Sequence, residues 1–249
     1  MINFTKALHS EYSFRIKYGG FLCVFTFLLS FQNVCFGQNQ KEGQLQIVKK
    51  AGEEVYLMGD IEINPEKGCV SFPCSINMTS GLLEVLLCRP EGKVHESLLV
   101  TSVTPLEFQT ALLLLGLDPV NEVPEDTAKI DKLSPYKSIE TSGDSVQLFI
   151  ETEQSGKKQK RPAEYFVRDE RTQSPLVQGT WFFKGAVTHQ SDHVIVDNST
   201  TMISTYLDPV TLMEINASSR FNDELFYVNE NAGLTKGQPV TLIIQSVIK

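Results

Sequence analysis

The sequence predicts an α+β domain: mainly antiparallel β-sheet, with one dominant buried helix at about 105–116 and minor helical turns. Two observations carry this prediction. Short runs rich in β-branched residues recur along the chain, separated by breaks that hold Gly, Pro and Asn. A single stretch, Thr104 to Gly116, has both the start and the stop signals of a helix.

In chain order, Val55–Ile63 alternates as a strand, and Asn64-Pro65-Glu66-Lys67-Gly68 reads as the turn after it. Cys69–Ile76 is a second strand, with Pro73 favouring an edge or a bulge. Two apolar runs, Leu82–Arg89 and Val94–Thr101, flank Pro90-Glu91-Gly92-Lys93. Length and turn chemistry predict a hairpin in which Gly92 supplies a positive φ.

Thr104-Pro105-Leu106-Glu107 then combines the spacing of a capping box with Pro at the first helical position. Gly116 closes the helix and Asp118-Pro119 prevents its continuation. Leu112–Leu115 is apolar all round, which predicts burial on more than one side.

Val120–Ser142 reads as a surface connection, Ser145–Thr152 as a strand and Glu153–Pro162 as a charged loop. Further short strands are expected at Ala163–Arg168, Gly179–Val187, His193–Asp197 and Thr200–Leu207, with a helical turn at Asp208–Glu214. Asn216–Gln238 is turn-rich, and Val240–Ile248 forms a closing strand.

The N-terminus has a different character. Met1–Gly20 carries Lys6, Arg15 and Lys17 against Glu11, and is followed by the apolar run Phe21–Phe31 and then QNVCFG. This pattern predicts a secretory signal over 1–37, a flexible lead-in over 38–45 and a single domain over 46–249. The apolar run is short of the ~20 residues of a spanning helix. Membrane contact is therefore expected only through this segment, where it stays uncleaved. The protein is expected to be exported, to a periplasm or the extracellular space.

Removing residues 1–37 takes away three cations and one acid, so the net charge of −8 becomes −10. That argues against a nucleic-acid partner and leaves a protein or small-molecule ligand. The basic run Lys157, Lys158, Lys160, Arg161 reads as a solvated loop.

Three cysteines remain after residue 37: Cys69, Cys74 and Cys88. Their odd number excludes full pairing within one chain, and a bridge from Cys69 or Cys74 to Cys88 requires neighbouring strands. Three cysteines without a CxxC pair are too few for an all-cysteine iron–sulfur or zinc site. No cofactor and no metal are expected. His95 and Glu96 are adjacent on a strand and point apart, while His189 and His193 flank a polar turn.

The order SFPCSINMTSGLLEVLLC, GKVHESLLVT, ALLLLGLDP resembles the YdjY-domain family of bacterial exported proteins. AEYFVRDERT, GTWFFKGA, STYLDPVTLMEIN and KGQPVTLII extend the resemblance over Gln46–Lys249. It implies export but little mechanism. Oxidoreductase or ferredoxin-type labels attached to some relatives do not transfer, because the cysteines for a cluster are missing. The position of Cys88 is, in that family, more often apolar or polar than cysteine.

The densest polar group is Lys93, His95, Glu96 and Ser97, within five residues beside the apolar helix. These four are the candidate ligand-binding residues, and a non-catalytic binding or envelope-associated module is the leading expectation. The alternative is a small hydrolase or thiol-type enzyme using His95 with Cys88 or Ser97. In a hairpin with Arg89 opposite Val94, Cys88 faces His95 and shares its face with Ser97. A third reading makes His95 and Glu96 plain hydrogen-bonding residues of a fixed turn.

Of the other polar candidates, Trp181 reads as core rather than a stacking platform. Tyr165, Arg168 and Asp169 are possible polar contributors, the last two equally well explained as an exposed ion pair. Asn77-Met78-Thr79, Asn198-Ser199-Thr200 and Asn216-Ala217-Ser218 match the glycosylation triplet.

Overall fold

Strand-forming patterns account for most of what the chain builds. The computed structural model describes residues 49–50, 54–119, 143–154, 156–185, 200–208 and 211–247. All of them belong to one compact unit, Gly43–Lys249. The expected signal segment, lead-in, Val120–Ser142 connection, His189 and His193–Asp197 strand lie outside the described residues.

The strands are β1 (Lys49–Lys50), β2 (Tyr56–Met58), β3 (Ile61–Asn64), β4 (Cys69–Ile76), β5 (Val85–Cys88), β6 (Ser97–Val100), β7 (Ser145–Gln154) and β8 (Lys157–Pro162). They continue with β9 (Val167–Asp169), β10 (Ser174–Pro175), β11 (Trp181–Phe183), β12 (Thr201–Ser204), β13 (Met213–Ile215), β14 (Phe226–Val228) and β15 (Pro239–Ser246). Among the described residues there is one α-helix, α1 (Pro105–Leu114), and there are 3-10 turns at Val94–Glu96, Ala163–Phe166, Ser218–Phe221 and Glu230–Ala232.

Eight strands close on themselves in the order β4-β15-β7-β11-β13-β12-β5-β6, and β6 pairs back onto β4. The molecule is therefore a mostly-β protein around a closed barrel, which corrects the expected α+β sheet with a dominant helix. Strands β1 to β3 extend the sheet beyond β4, β8 hangs from β7, and β10-β9-β14 form a separate small sheet. Closure leaves the barrel strands without free edges.

The interior follows from alternation. Val70, Phe72, Cys74 and Ile76 of β4 are buried, as are Val240, Leu242 and Ile244 of β15 and Val146, Leu148 and Ile150 of β7. Trp181 and Phe183 of β11 add the largest rings. These residues belong to one continuous hydrophobic cluster, each large side chain contributing ~1.5–3 kcal/mol by burial.

Pro73 sits inside β4, not at its edge, and the register explains how. The Ile76 N–H donates to Gln238 of the β15 side, so the N–H missing at Pro73 falls on the opposite edge. There β3 ends its pairing at Ser71 and β6 begins at Ser75, so no ladder bond is lost.

Helix α1 forms where expected, with both halves of the capping box at Thr104 and Glu107. It ends in a Schellman motif: Gly116 (φ 89) donates to Leu113 and Leu117 donates to Leu112. It is short, however, and only one face is covered. Phe108 meets Phe72 edge-on at 5.5 Å, while Leu113 and Leu114 are 45% and 51% exposed. The expected burial on several sides does not occur.

Several local expectations need the same correction. Val55–Ile63 is not one strand but the hairpin β2–β3, turned at Gly59 (φ 57) and Asp60. Glu153–Pro162 is not a loop, since β8 pairs with β7 over six residues. Ala163–Phe166 is a 3-10 turn before β9, not strand. Of Asp208–Glu214, Thr211 N–H donates to Asp208 O, and Met213 and Glu214 belong to β13 rather than to a helical turn.

The expected hairpin over Leu82–Thr101 is the largest local error. Strands β5 and β6 are parallel neighbours, with Val85 beside Ser97 and Leu87 beside Leu99. A parallel connection ordinarily needs a dozen or more residues. Here β5 is only four residues long, roughly 13 Å, and the chain from Arg89 to Glu96 is long enough to return along it. No cysteine bridge results either: Cys69, Cys74 and Cys88 are all free thiols.

Candidate functional site

The return segment Arg89–Glu96 carries most of the polar residues singled out in the sequence. Gly92 N–H donates to Arg89 O at 2.9 Å, and Val94 N–H to Gly92 O at 2.8 Å. The second bond makes Lys93 (φ −74, ψ 57) the centre of an inverse γ-turn. The 3-10 turn Val94–Glu96 follows.

Gly92 does not occupy the left-handed region, so the expected positive φ is not the reason for glycine. A Cβ there would lie 2.9 Å from Thr200 Cβ and 3.0 Å from the Thr200 carbonyl oxygen. That same carbonyl accepts the Arg89 N–H at 2.9 Å. Glycine allows the turn to press against Thr200, the residue before β12.

A residue not singled out for this role holds the segment from the other side. The Asn77 side-chain amide, just past β4, donates to the carbonyls of Val94 and Ser97. In the sequence Asn77 had stood out only as the first residue of a glycosylation triplet.

The turn separates the four candidates. Lys93 and His95 face solvent, with side chains 45% and 73% exposed, and the Glu96 side chain is 24% exposed. Ser97 is fully buried at the start of β6 and donates its hydroxyl to the Leu99 carbonyl at 2.8 Å. The His95 imidazole lies 3.4 Å from the Glu96 carboxylate.

Charge gathers around Lys93. Its ammonium is 3.6 Å from Glu84 and 3.9 Å from Asp208. Burial holds the Glu84 carboxyl above its ordinary range. The neighbouring Glu96 carboxylate, as a like charge and hydrogen-bond partner, raises it further, while Lys93 opposes the shift and Asp223 adds to it. Glu84 is also a backbone junction: its N–H donates to Glu96 O, and its carbonyl accepts from Thr205 and Tyr206.

Behind this cluster, Lys184 Nζ bonds the Asp208 carbonyl and the fully buried Glu214 carboxylate, both at 3.0 Å. Arg220 approaches Glu214 from another side at 3.5 Å. Glu84 and Asp208 were missed in the sequence. The one available signal was Glu84 standing alone as an acid within the apolar run LLEVLL.

The catalytic pairs proposed from a hairpin register are not assembled by the parallel one. Cys88 neighbours Val100 and Thr201 in the sheet and is fully buried. Burial pushes its thiol above the ordinary range, against a smaller lowering influence of Ser97, the reverse of an activated nucleophile. Ser97 spends its hydroxyl on a backbone carbonyl.

Among the described residues no group of three or more His, Cys, Asp and Glu is placed to hold a metal. His189 and His193 lie outside them.

The remaining candidates resolve as structure. Trp181 is buried and donates its ring N–H to Glu164 at 3.0 Å. Arg168 pairs with Glu170 at 2.8 Å and Asp169 with Arg171 at 2.6 Å, so the two do not form one ion pair. The Arg161 guanidinium lies over the Tyr165 ring.

Comparison with curated proteins and with solved structures returned no match. The model of one family, described as the YdjY domain, matches residues 61–245, a span that runs from the start of β3 to the last residue but one of β15 and so takes in all eight barrel strands. The chain belongs to the YdjY-domain family.

Proposed function

We propose that this domain is a non-catalytic binding module of an exported, envelope-associated protein, and that it meets its partner through the turn at Lys93, His95 and Glu96. The single observation that supports this reading is the division made by the Arg89–Glu96 return. Lys93 and His95 are presented outward with Glu96 partly exposed beside them, while Ser97 and Cys88 are sealed in the wall behind.

The electrostatics favour a partner that brings a cationic group. Glu84 and Asp208 flank the Lys93 ammonium and Glu96 stands beside Glu84; burial, together with the Glu96 charge, makes Glu84 hold its proton more tightly. An incoming amine or guanidinium would relieve that crowding. The ligand is a protein segment or small molecule with such a group, and export follows from the N-terminal signal pattern.

The test uses agmatine and spermidine as probes, with backbone amide shifts followed by NMR at neutral pH. Saturable shifts at Glu84 and Lys93–Ser97 are expected, and are expected to be lost in Glu84→Gln and Glu96→Gln. Shifts that spread evenly over the surface, or that persist in both variants, would overturn the reading. Export is checked by the intact mass of the secreted protein, expected to begin at Gln38.

A further inference from the structure

A second surface lies on a different element, the strand β8. Five consecutive residues, Lys157 to Arg161, are exposed, and four of the six residues of β8 are cations. The protein as a whole has a formal charge of −8, so this strand runs against the charge of the molecule.

The ladder shows which backbone groups are available. Gln154 pairs with Lys157 across a two-residue turn closed by Gly156 (φ 73). In such a hairpin the pair next to the turn exchanges both hydrogen bonds, and every second pair after it does the same. Lys157, Gln159 and Arg161 therefore direct their N–H and C=O groups to β7, while Lys158 and Lys160 direct theirs outward. Pro162, with no N–H, ends that edge.

Side chains alternate across the same strand. Lys158 and Lys160 lie on the face of Phe149, Glu151 and Glu153, and Lys157 and Arg161 lie on the other. Two of the cations are pre-positioned on rings: Lys160 Nζ is 4.2 Å from the centre of Phe149 and Arg161 is 4.4 Å from that of Tyr165. Lys158 meets Glu151 at 2.8 Å.

Lysine on a sheet edge commonly deters pairing with like strands. Four cations distributed over both faces deter a second copy of β8 but attract a strand of the opposite charge. We infer that the outer edge of β8 is a docking site for an extended acidic segment of another protein, which adds as a strand against Lys158 and Lys160. Backbone bonds supply the pairing, and carboxylates on both faces of the segment meet Lys157, Lys160 and Arg161.

The experiment titrates the full chain with a fluorescent peptide of the repeat Glu-Glu-Val-Val, which as a strand carries carboxylates on both faces, followed by anisotropy. Three comparisons accompany it: the same peptide N-methylated at alternate residues, the variants Lys158→Gln and Lys158→Pro, and vesicles of phosphatidylglycerol. Each Lys158 variant loses one charge, but only Lys158→Pro loses the outward N–H.

Lys158→Gln is expected to weaken binding about two- to threefold, and Lys158→Pro about tenfold or more. The N-methylated peptide, which is independent of the variants' folding, is expected not to bind. Equal binding of the methylated and unmethylated peptides would overturn strand addition, as would absence of peptide binding. Vesicle binding without peptide binding would replace it with a membrane surface.

Discussion

The side-chain amide of Asn77 donates to the Ser97 carbonyl at 2.7 Å and, from the same nitrogen, to the Val94 carbonyl. One residue at the end of β4 thus pins both ends of the 3-10 turn that carries His95 and Glu96. Asn77→Ala leaves two carbonyls without their donor and is expected to cost ~1–3 kcal/mol. Asn77→Asp keeps the shape but presents oxygens to oxygens, so it should cost at least as much. Urea denaturation checks both, and an Asp variant as stable as the native protein would remove Asn77 from this role.

The three thiols separate chemical access from sequence position. Cys69 is half-buried, whereas Cys74 and Cys88 are buried; burial raises the thiols of Cys69 and Cys88 and pushes that of Cys74 up to about 12. Exposure to a disulfide reagent at neutral pH, followed by mass mapping, should label Cys69 slowly and reach Cys74 and Cys88 only in denaturant. Fast labelling of Cys88 in the folded protein would restore the thiol-enzyme alternative.

The legible parts of the chain were those written in local chemistry. The capping box at Thr104 and Glu107, the glycine at 116, and the runs read as strands at Cys69–Ile76, Ser145–Thr152 and Val240–Ile248 are local signals; helix α1 and strands β4, β7 and β15 formed there. Barrel closure was not legible, because it depends on which strands meet.

Strands β5, β12 and β13 are buried throughout and only three or four residues long, so they show no period by which a sheet could be recognised. The Leu82–Thr101 segment misled for a related reason. Pro90, Glu91 and Gly92 do form a turn, but turn residues do not state whether the next strand runs back or alongside. The wrong register then placed Cys88 opposite His95. Lys93, His95 and Glu96 do lie together on the return segment, while Glu84, Asp208 and Asn77 reach it from other segments.

Glu164 makes the pH response of the fold testable. It is 1% exposed, its Oε1 accepts from Gly179 N–H at 3.1 Å and Trp181 Nε1–H at 3.0 Å, and its Oε2 is buried without a hydrogen-bond partner among the described residues. Burial raises its carboxyl above the ordinary 4.5, against the lowering effect of its own backbone N–H, Gly179 and Trp181. The folded state therefore keeps the proton to higher pH than the unfolded chain does. Stability is fully present below the unfolded value and is lost as pH rises from there through the raised folded value. Glu84 acts in the same direction and Asp169, lowered by Arg171, in the opposite one.

Glu164→Gln retains an acceptor for both donors and cannot ionise. Its unfolding free energy should fall less steeply than that of the native protein between pH 4.5 and neutrality, so that the variant gains relative to native as pH rises. Glu164→Ala strands both N–H groups and should lose ~2–4 kcal/mol at every pH. Urea titrations at half-unit steps of pH decide the matter, and parallel curves for Glu164→Gln and native protein would show that this carboxyl does not titrate with folding.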